Sequence, residues 1–254
     1  MLKIYKLILA PFCLLLVILA TNVMASGDGK ITVGYTYEDE TGNQSVHNSS
    51  FNKYEGLGIS LENFRYMFNN GLQLDADLKR ITLNNRDLRL NLRKSRLFGL
   101  SLTNNQYRRV YNYDGSDFTR RHRTDVSLWA TPHKYFKVYA NGNFSSESGR
   151  MNSFFDPGYV ATSVPIDYNS FTFEFGARYN QHGRMLSAEY FGGTFTDNNN
   201  ATRDRIRNRV KFYGIMPVPN YEWAILSGGF YHFQNKYDIS QFKVSSNRSW
   251  GGSV

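Results

Sequence analysis

The chain of 254 residues contains one cysteine, Cys13, and it lies in an apolar N-terminal stretch. Once that stretch is removed, no disulfide, no cysteine-ligated metal and no thiol nucleophile can form. The residues before Cys13 are not the small ones of a lipoprotein site, so no lipid anchor is expected. Proline is scarce, at 6 residues, and no stretch carries a convincing helical period. Beyond Ala25 no apolar run approaches the ~20 residues of a spanning helix, so any crossing of a membrane must be made by strands. Glycine-rich phosphate loops, hydrolase elbows and nucleophile–base arrangements are also missing, and no enzyme is expected. The five histidines, His47, His122, His133, His182 and His232, are scattered without a metal-ligand spacing, so neither a metal nor another cofactor is expected.

What is present begins with a leader. Lys3 and Lys6 form a basic start, Leu7 to Ala20 is nearly all apolar, and Val23-Met24-Ala25 supplies residues that a signal peptidase reads. Cleavage after Ala25 is expected, so 1–25 is a signal peptide and 26–254 a single mature domain. Removing Lys3 and Lys6 from the 30 basic residues leaves 28 against 21 acids, a formal charge of +7. Such a charge suits anionic lipid, small anionic solutes or an acidic partner, and export argues against nucleic acid.

The strongest pattern has a period of two. Arg203, Arg205, Arg207, Arg209, Lys211 and Tyr213 alternate with Asp204, Ile206, Asn208, Val210, Phe212 and Gly214. Alternate side chains of a strand point to opposite faces, so five cations share one face of this strand. Phe171, Phe173, Phe175, Ala177 and Tyr179 likewise alternate with Thr172, Glu174, Gly176, Arg178 and Asn180. Leu88, Leu90 and Leu92 alternate with Arg89, Asn91 and Arg93, and Val126, Leu128 and Ala130 with Arg121, Arg123, Asp125 and Ser127. About twelve such segments are readable, from Lys30–Glu38 to a weak last one at Ile239–Val244. Turns are expected at Asn69-Asn70-Gly71, Asn84-Asn85, Asp114-Gly115, Thr131–His133, His182-Gly183 and Pro217–Asn220. Polar loops are expected at Asn43–Asn52 and about Ser146–Asp167.

Energetics assigns the faces. A Lys or Arg facing lipid at mid-bilayer costs ~2–4 kcal/mol, so five on one strand would cost around 10 kcal/mol, as much as a domain's whole stability. A wet lumen removes that cost. The basic lumen then comprises Arg89, Arg93, Arg121, Arg123, Arg178, Arg203, Arg205, Arg207, Arg209 and Lys211. Two uses stand open for it: a field that attracts anions, or counter-charges for lumenal Asp and Glu that fill a narrow barrel. Glu174 and Glu189, on neighbouring strands, belong to that second use. Tyr35, Tyr107, Tyr111, Tyr135 and Tyr179 are expected in aromatic girdles, and the Asn48-Ser49-Ser50 sequon has no meaning in a bacterium.

One stretch carries a family resemblance. From Ser50 the chain reads Ser-Phe-Asn-Lys-Tyr-Glu-Gly-Leu-Gly, then Leu-Glu-Asn-Phe-Arg-Tyr, followed by Arg86–Leu92 and Tyr107-Arg108-Arg109-Val110-Tyr111. This resembles the outer-membrane barrels of porin–cytochrome electron conduits, the decahaem-cytochrome-associated barrel family, over about the first half of the chain. The resemblance implies a sheath around a multihaem c-type cytochrome, whose acidic haem propionates would meet the basic lumen. Barrels of that family are larger, and this chain ends Ser249-Trp250-Gly251-Gly252-Ser253-Val254 without a terminal aromatic.

The expectation is an all-β, antiparallel transmembrane β-barrel of about twelve strands, or the N-terminal part of a larger one, in the outer membrane of a Gram-negative bacterium. Its expected role is a passive porin or a cytochrome sheath. The competing expectation is a secreted or periplasmic soluble β-sandwich that binds a ligand such as carbohydrate.

Overall fold

The computed structural model describes residues 27–37, 54–153, 162–200, 203–218, 221–237 and 245–253. The expected signal segment 1–25, the expected loop Asn43–Asn52 with His47 and Asn48, the expected strand Ile239–Val244, the end of the expected turn Pro217–Asn220 and Val254 lie outside the described residues.

Twelve strands follow one another: β1 Gly27–Thr36, β2 Gly56–Met67, β3 Leu72–Lys79, β4 Asp87–Lys94, β5 Phe98–Val110, β6 Phe118–His133, β7 Phe136–Ser153, β8 Thr162–Gln181, β9 Arg184–Asp197, β10 Arg205–Val218, β11 Tyr221–Tyr237 and β12 Ser245–Ser253. They form one sheet in sequence order, each antiparallel to its neighbours, and no α-helix occurs among the described residues. The described ladders run from β1 to β12 without one that joins those two strands. The all-β antiparallel architecture is the one expected from the sequence, and the sequential order of the strands makes it up-and-down.

Two boundaries differ from expectation. Residues expected in a loop at Ser146–Asp167 are largely strand, because β7 reaches Ser153 and β8 starts at Thr162. Their polar composition hid the ladder, which pairs Ser146 with Asn169 and Ser148 with Asp167. A twelfth strand, Ser245–Ser253, follows the expected segment Ile239–Val244, which lies outside the described residues. The Ser- and Gly-rich composition of that strand masks its alternation.

Connections are unequal at the two ends of the sheet. One end has tight turns at 134–135 and 182–183, with slightly longer ones at 68–71 and 95–97. His182 and Gly183 both take positive φ, 49° and 76°, the pair that a two-residue hairpin turn needs. The other end carries the longer connections, from 80–86 and 111–117 to 37–55.

Registration preserves the two faces across the sheet. Leu128 pairs with Leu100 on one side and Ala140 on the other, and Ala140 continues to Phe175, Tyr190 and Val210. β2 contains one extra residue between Leu61 and Phe64, where Asn63 has φ 52°. That bulge returns Phe64 and Tyr66 to the apolar face, beside Ala76 and Leu74.

The apolar band has a defined height. On β7 it runs Phe136, Val138, Ala140, Gly142, Phe144, in register with Tyr179, Ala177, Phe175, Phe173 and Phe171 on β8. The eight rises from Phe136 to Phe144, at ~3.3 Å each, span about 26 Å along the strand, or ~20 Å at a 40° tilt. Past Phe144 and Phe171 the same face turns polar, with Ser146 and Ser148 opposite Asn169 and Asp167. Strands β5 to β9 thus project beyond the band at the end with long connections.

Burial on the apolar face is uneven. In β3 and β4, Leu74, Ala76, Leu78 and Leu90 are buried, packed by Leu61, Phe64, Leu88, Leu102 and Ile81. The 80–86 connection closes one side of this group: Ile81 donates its amide to the Ile59 carbonyl, and Thr82 Oγ1 donates to the Leu57 carbonyl. From β6 to β10 the same face is open, with Leu186 62%, Phe175 52% and Phe212 51% exposed.

Candidate functional site, a basic face on one side of the sheet

The opposite face is largely polar from β2 to β10. One row runs Arg209, Phe191, Glu174, Asn141, Ser127, Ser101, Asn91, Asp75 and Arg65. The next runs Arg207, Gly193, Thr172, Asn143, Asp125, Thr103, Arg89 and Asp77. Antiparallel partners share a face. The structure therefore gathers Arg89 and Arg93 of β4, Arg121 and Arg123 of β6, Arg178 of β8, and Arg205, Arg207, Arg209 and Lys211 of β10 on one side.

Arg203 lies just before the strand. β10 begins at Arg205, and Arg203 sits in the preceding turn with its Nη1 3.4 Å from Asp197 Oδ2. Asp197 is the anchor there, since it also accepts from the Asn199 and Asn200 amides. The side-chain oxygens of that aspartate stabilise the turn and end the alternation.

The cations are interleaved with acids. Arg89 Nη2 lies 3.2 Å from Asp87, Arg93 Nη2 3.8 Å from Asp75, Arg123 Nε 3.0 Å from Asp125, and Arg209 Nη2 3.6 Å from Glu174. Arg205 and Arg209 also lie over the rings of Phe195 and Phe191, at 5.1 and 5.4 Å from the centroids. Such stacking holds a guanidinium in place while its edge stays available for hydrogen bonding. Most of these pairs are half-exposed, so each contributes about 0–1 kcal/mol; their effect is on the field across the face. Lys211 stands opposite Glu189, and Arg178 opposite Lys137 and Ser187.

Two groups on this face escape sequence reading. Tyr139 donates its hydroxyl to Glu189 at 2.9 Å while its ring lies across Gly176. A Cβ at Gly176 would stand 2.6 Å from that hydroxyl, and one at Gly99 would stand 2.4 Å from Trp129 Nε1. Glycine is required at both positions so that a large ring can lie flat on the neighbouring strand. The acid partners had a sequence signal, since Asp87/Arg89 and Arg123/Asp125 are spaced two apart and must share a face. Glu174 and Glu189 serve different partners, Arg209 and Tyr139, rather than forming a carboxylate pair.

Near the long-connection end, Arg121 lies opposite Tyr107 and Glu147, and Glu147 opposite Tyr168. Burial and its hydrogen bond to Glu147 push the Tyr168 phenol up to about 12. Tyr107 is therefore on the basic face and not in an outer girdle, because its parity is that of Arg121. Tyr179 lies on the apolar face. It meets Tyr135 edge-on at 6.5 Å, and Tyr135 is flanked by His133 and His182 at the tight-turn end. Among the described residues no three His, Cys, Asp or Glu side chains group to hold a metal.

No family model matches the chain, and no curated protein matches it. Among solved structures it is similar to a loop L8 deletion mutant of OmpT, an outer membrane protein of Vibrio cholerae. Identity is 12%, the TM-score 0.36, and the match covers 91% of this chain and 95% of that one.

Proposed function

We propose that the chain is an outer-membrane β-barrel of porin type, with its apolar face against acyl chains and its basic face toward a wet lumen. The observation that carries this reading is the single-layered sheet with an uncovered apolar face from β6 to β10. Covering one half-exposed Phe or Leu stabilises by roughly 1 kcal/mol or more, so lipid over this face contributes on the order of 10 kcal/mol, a domain's worth of stability. A soluble sandwich would need a second layer over the same residues, and the described strands all belong to one sheet. The height of the apolar band and the inequality of the connections suit a barrel crossing a bilayer.

The transport role is passive and favours anions. The Arg207 and Arg209 rows balance cations with acids, but cations outnumber acids in the Arg205 row (Arg205, Arg123 and Lys79 against Asp87) and the Lys211 row (Lys211 and Arg93 against Glu189). Arg205, Arg207, Arg209 and Lys211 stand one above another on one face of β10. A lumen so lined lowers the electrostatic barrier for anions and raises it for cations. Replacing Arg205, Arg207 and Arg209 together with Glu should reverse ion preference in planar bilayers, and unchanged selectivity would dispose of the anion channel. Heat-modifiable gel mobility and protease protection in proteoliposomes test insertion itself. The same cations would face haem propionates if the barrel sheathed a multihaem c-type cytochrome. Co-purification of a haem-staining partner decides for that use.

A further inference from the structure

The apolar face does not end uniformly at the long-connection side. On β7 and β8 it gives way to Ser146, Ser148, Asn169 and Asp167, but on β5 and β6 it gives way to cations. β5 continues Leu102, Asn104, Gln106, Arg108, and β6 continues Val126, Thr124, His122, Arg120, Phe118, paired without a register shift. Arg108 and Arg120 therefore point to the side of the sheet occupied by Leu100 and Leu128, away from the basic face described above. Arg86 joins them from the residue just before β4, with its Nε donating to Asn104 Oδ1 at 2.8 Å.

The guanidinium groups are held by rings. Arg108 lies 4.7 Å from the Tyr54 ring centroid and 5.7 Å from that of Phe118, and Arg120 lies 5.1 Å from that of Phe118. All of these side chains are half-buried, and Gln106 between them is buried. His122 sits within reach of the charges of Arg86 and Arg120. Three arginines, a histidine and two aromatic rings thus form a fixed cationic shelf about one turn of pleat above the apolar band. A strand surface in open solvent has no need of cations on its apolar parity. At the rim of a bilayer, the groups that meet this level are lipid headgroups.

Resting on the barrel reading above, we propose that this shelf, Tyr54, Arg86, Arg108, Phe118, Arg120 and His122, binds the phosphate groups of an outer-leaflet glycolipid whose acyl chains lie on Leu100, Leu128 and their neighbours. Arginine forks suit phosphate oxygens, the rings support a sugar or the guanidinium planes, and the apolar band below receives the chains. The glycolipid joins both chemistries in one molecule, which free phosphate does not.

The test uses the full chain in detergent and native mass spectrometry of lipid adducts. Bis-phosphorylated lipid A should bind about tenfold or more tightly than the same lipid with its phosphates removed. Inorganic pyrophosphate alone should bind far more weakly than the intact lipid. Arg108→Gln with Arg120→Gln should abolish the preference for the phosphorylated form, whereas Arg108→Lys with Arg120→Lys retains part of it, and Arg207→Gln on the opposite face leaves it unchanged. Heat-modifiable mobility confirms that each variant is folded. Equal binding of the two lipids by an inserted wild-type chain overturns this inference and leaves the barrel reading standing. Pyrophosphate binding as tight as the lipid's overturns the glycolipid in favour of a free-anion site. A wild-type chain that does not insert overturns both.

Discussion

The two halves of the sheet treat the same alternation differently. In β3 and β4, each eight residues long, the apolar side chains close on one another, and Leu78 is 1% exposed. In β8, twenty residues long, Phe171 and Phe175 stay open on the equivalent face. Alternation fixes which side a residue takes, but the neighbours decide whether that side is covered. Leu and Ala interlock with Ile81 folded beside them in the first half, whereas in the second half large rings stand beside glycines such as Gly192. The first region is stabilised by its own packing and the second depends on what surrounds it.

The largest test of that contrast is truncation. Leu78→Ala should cost about 2–5 kcal/mol in urea unfolding from detergent micelles, as for a buried Leu that leaves a cavity. Phe175→Ala should cost less than half as much, because its ring is half-exposed, and equal losses would erase the distinction. A charge on the open face comes next. Phe175→Arg should lower the yield of inserted, heat-modifiable protein through a cost of ~2–4 kcal/mol, while Thr172→Arg on the basic face should leave insertion intact. Similar yields for the two would remove lipid from the open face.

Smaller effects follow on the polar sides. Glu174→Gln frees Arg209 from its acid, with a stability change below about 1 kcal/mol. It should nonetheless shift reversal potentials toward anions, and a shift toward cations would contradict the assignment of that row to the lumen. The smallest effect concerns His122. Burial first, then the charges of Arg86 and Arg120, lowers its pKa from the ordinary 6.5. Protons then bind the unfolded chain better than the folded one. The contribution of His122 is full above pH 6.5 and is lost as pH falls through its depressed value. Its imidazole resonances should titrate with a midpoint below 6.5, and a midpoint above 6.5 would refute the burial.

Much of the architecture was legible because a period of two is a local property. The Phe171–Tyr179 stripe, the His182-Gly183 turn and the leucines of β4 each announce their element within ten residues. The stretches after Phe144 and before Phe171 did not, since polar residues on both faces give no alternation to read, although the ladder there is regular. The arginine strand was read two residues too long, since β10 begins at Arg205 and Arg203 sits in the turn that Asp197 holds.

The sequence by itself determined the strand period and the sorting of arginines from phenylalanines, because both follow from covalent alternation along an extended backbone. Only the tertiary structure decided which acid sits beside which arginine, which glycine lies under Tyr139 or Trp129, and where the apolar face closes or stays open. Those outcomes depend on register between strands. A shift of one residue would exchange the two faces of a strand, so they exist only once the ladder has formed.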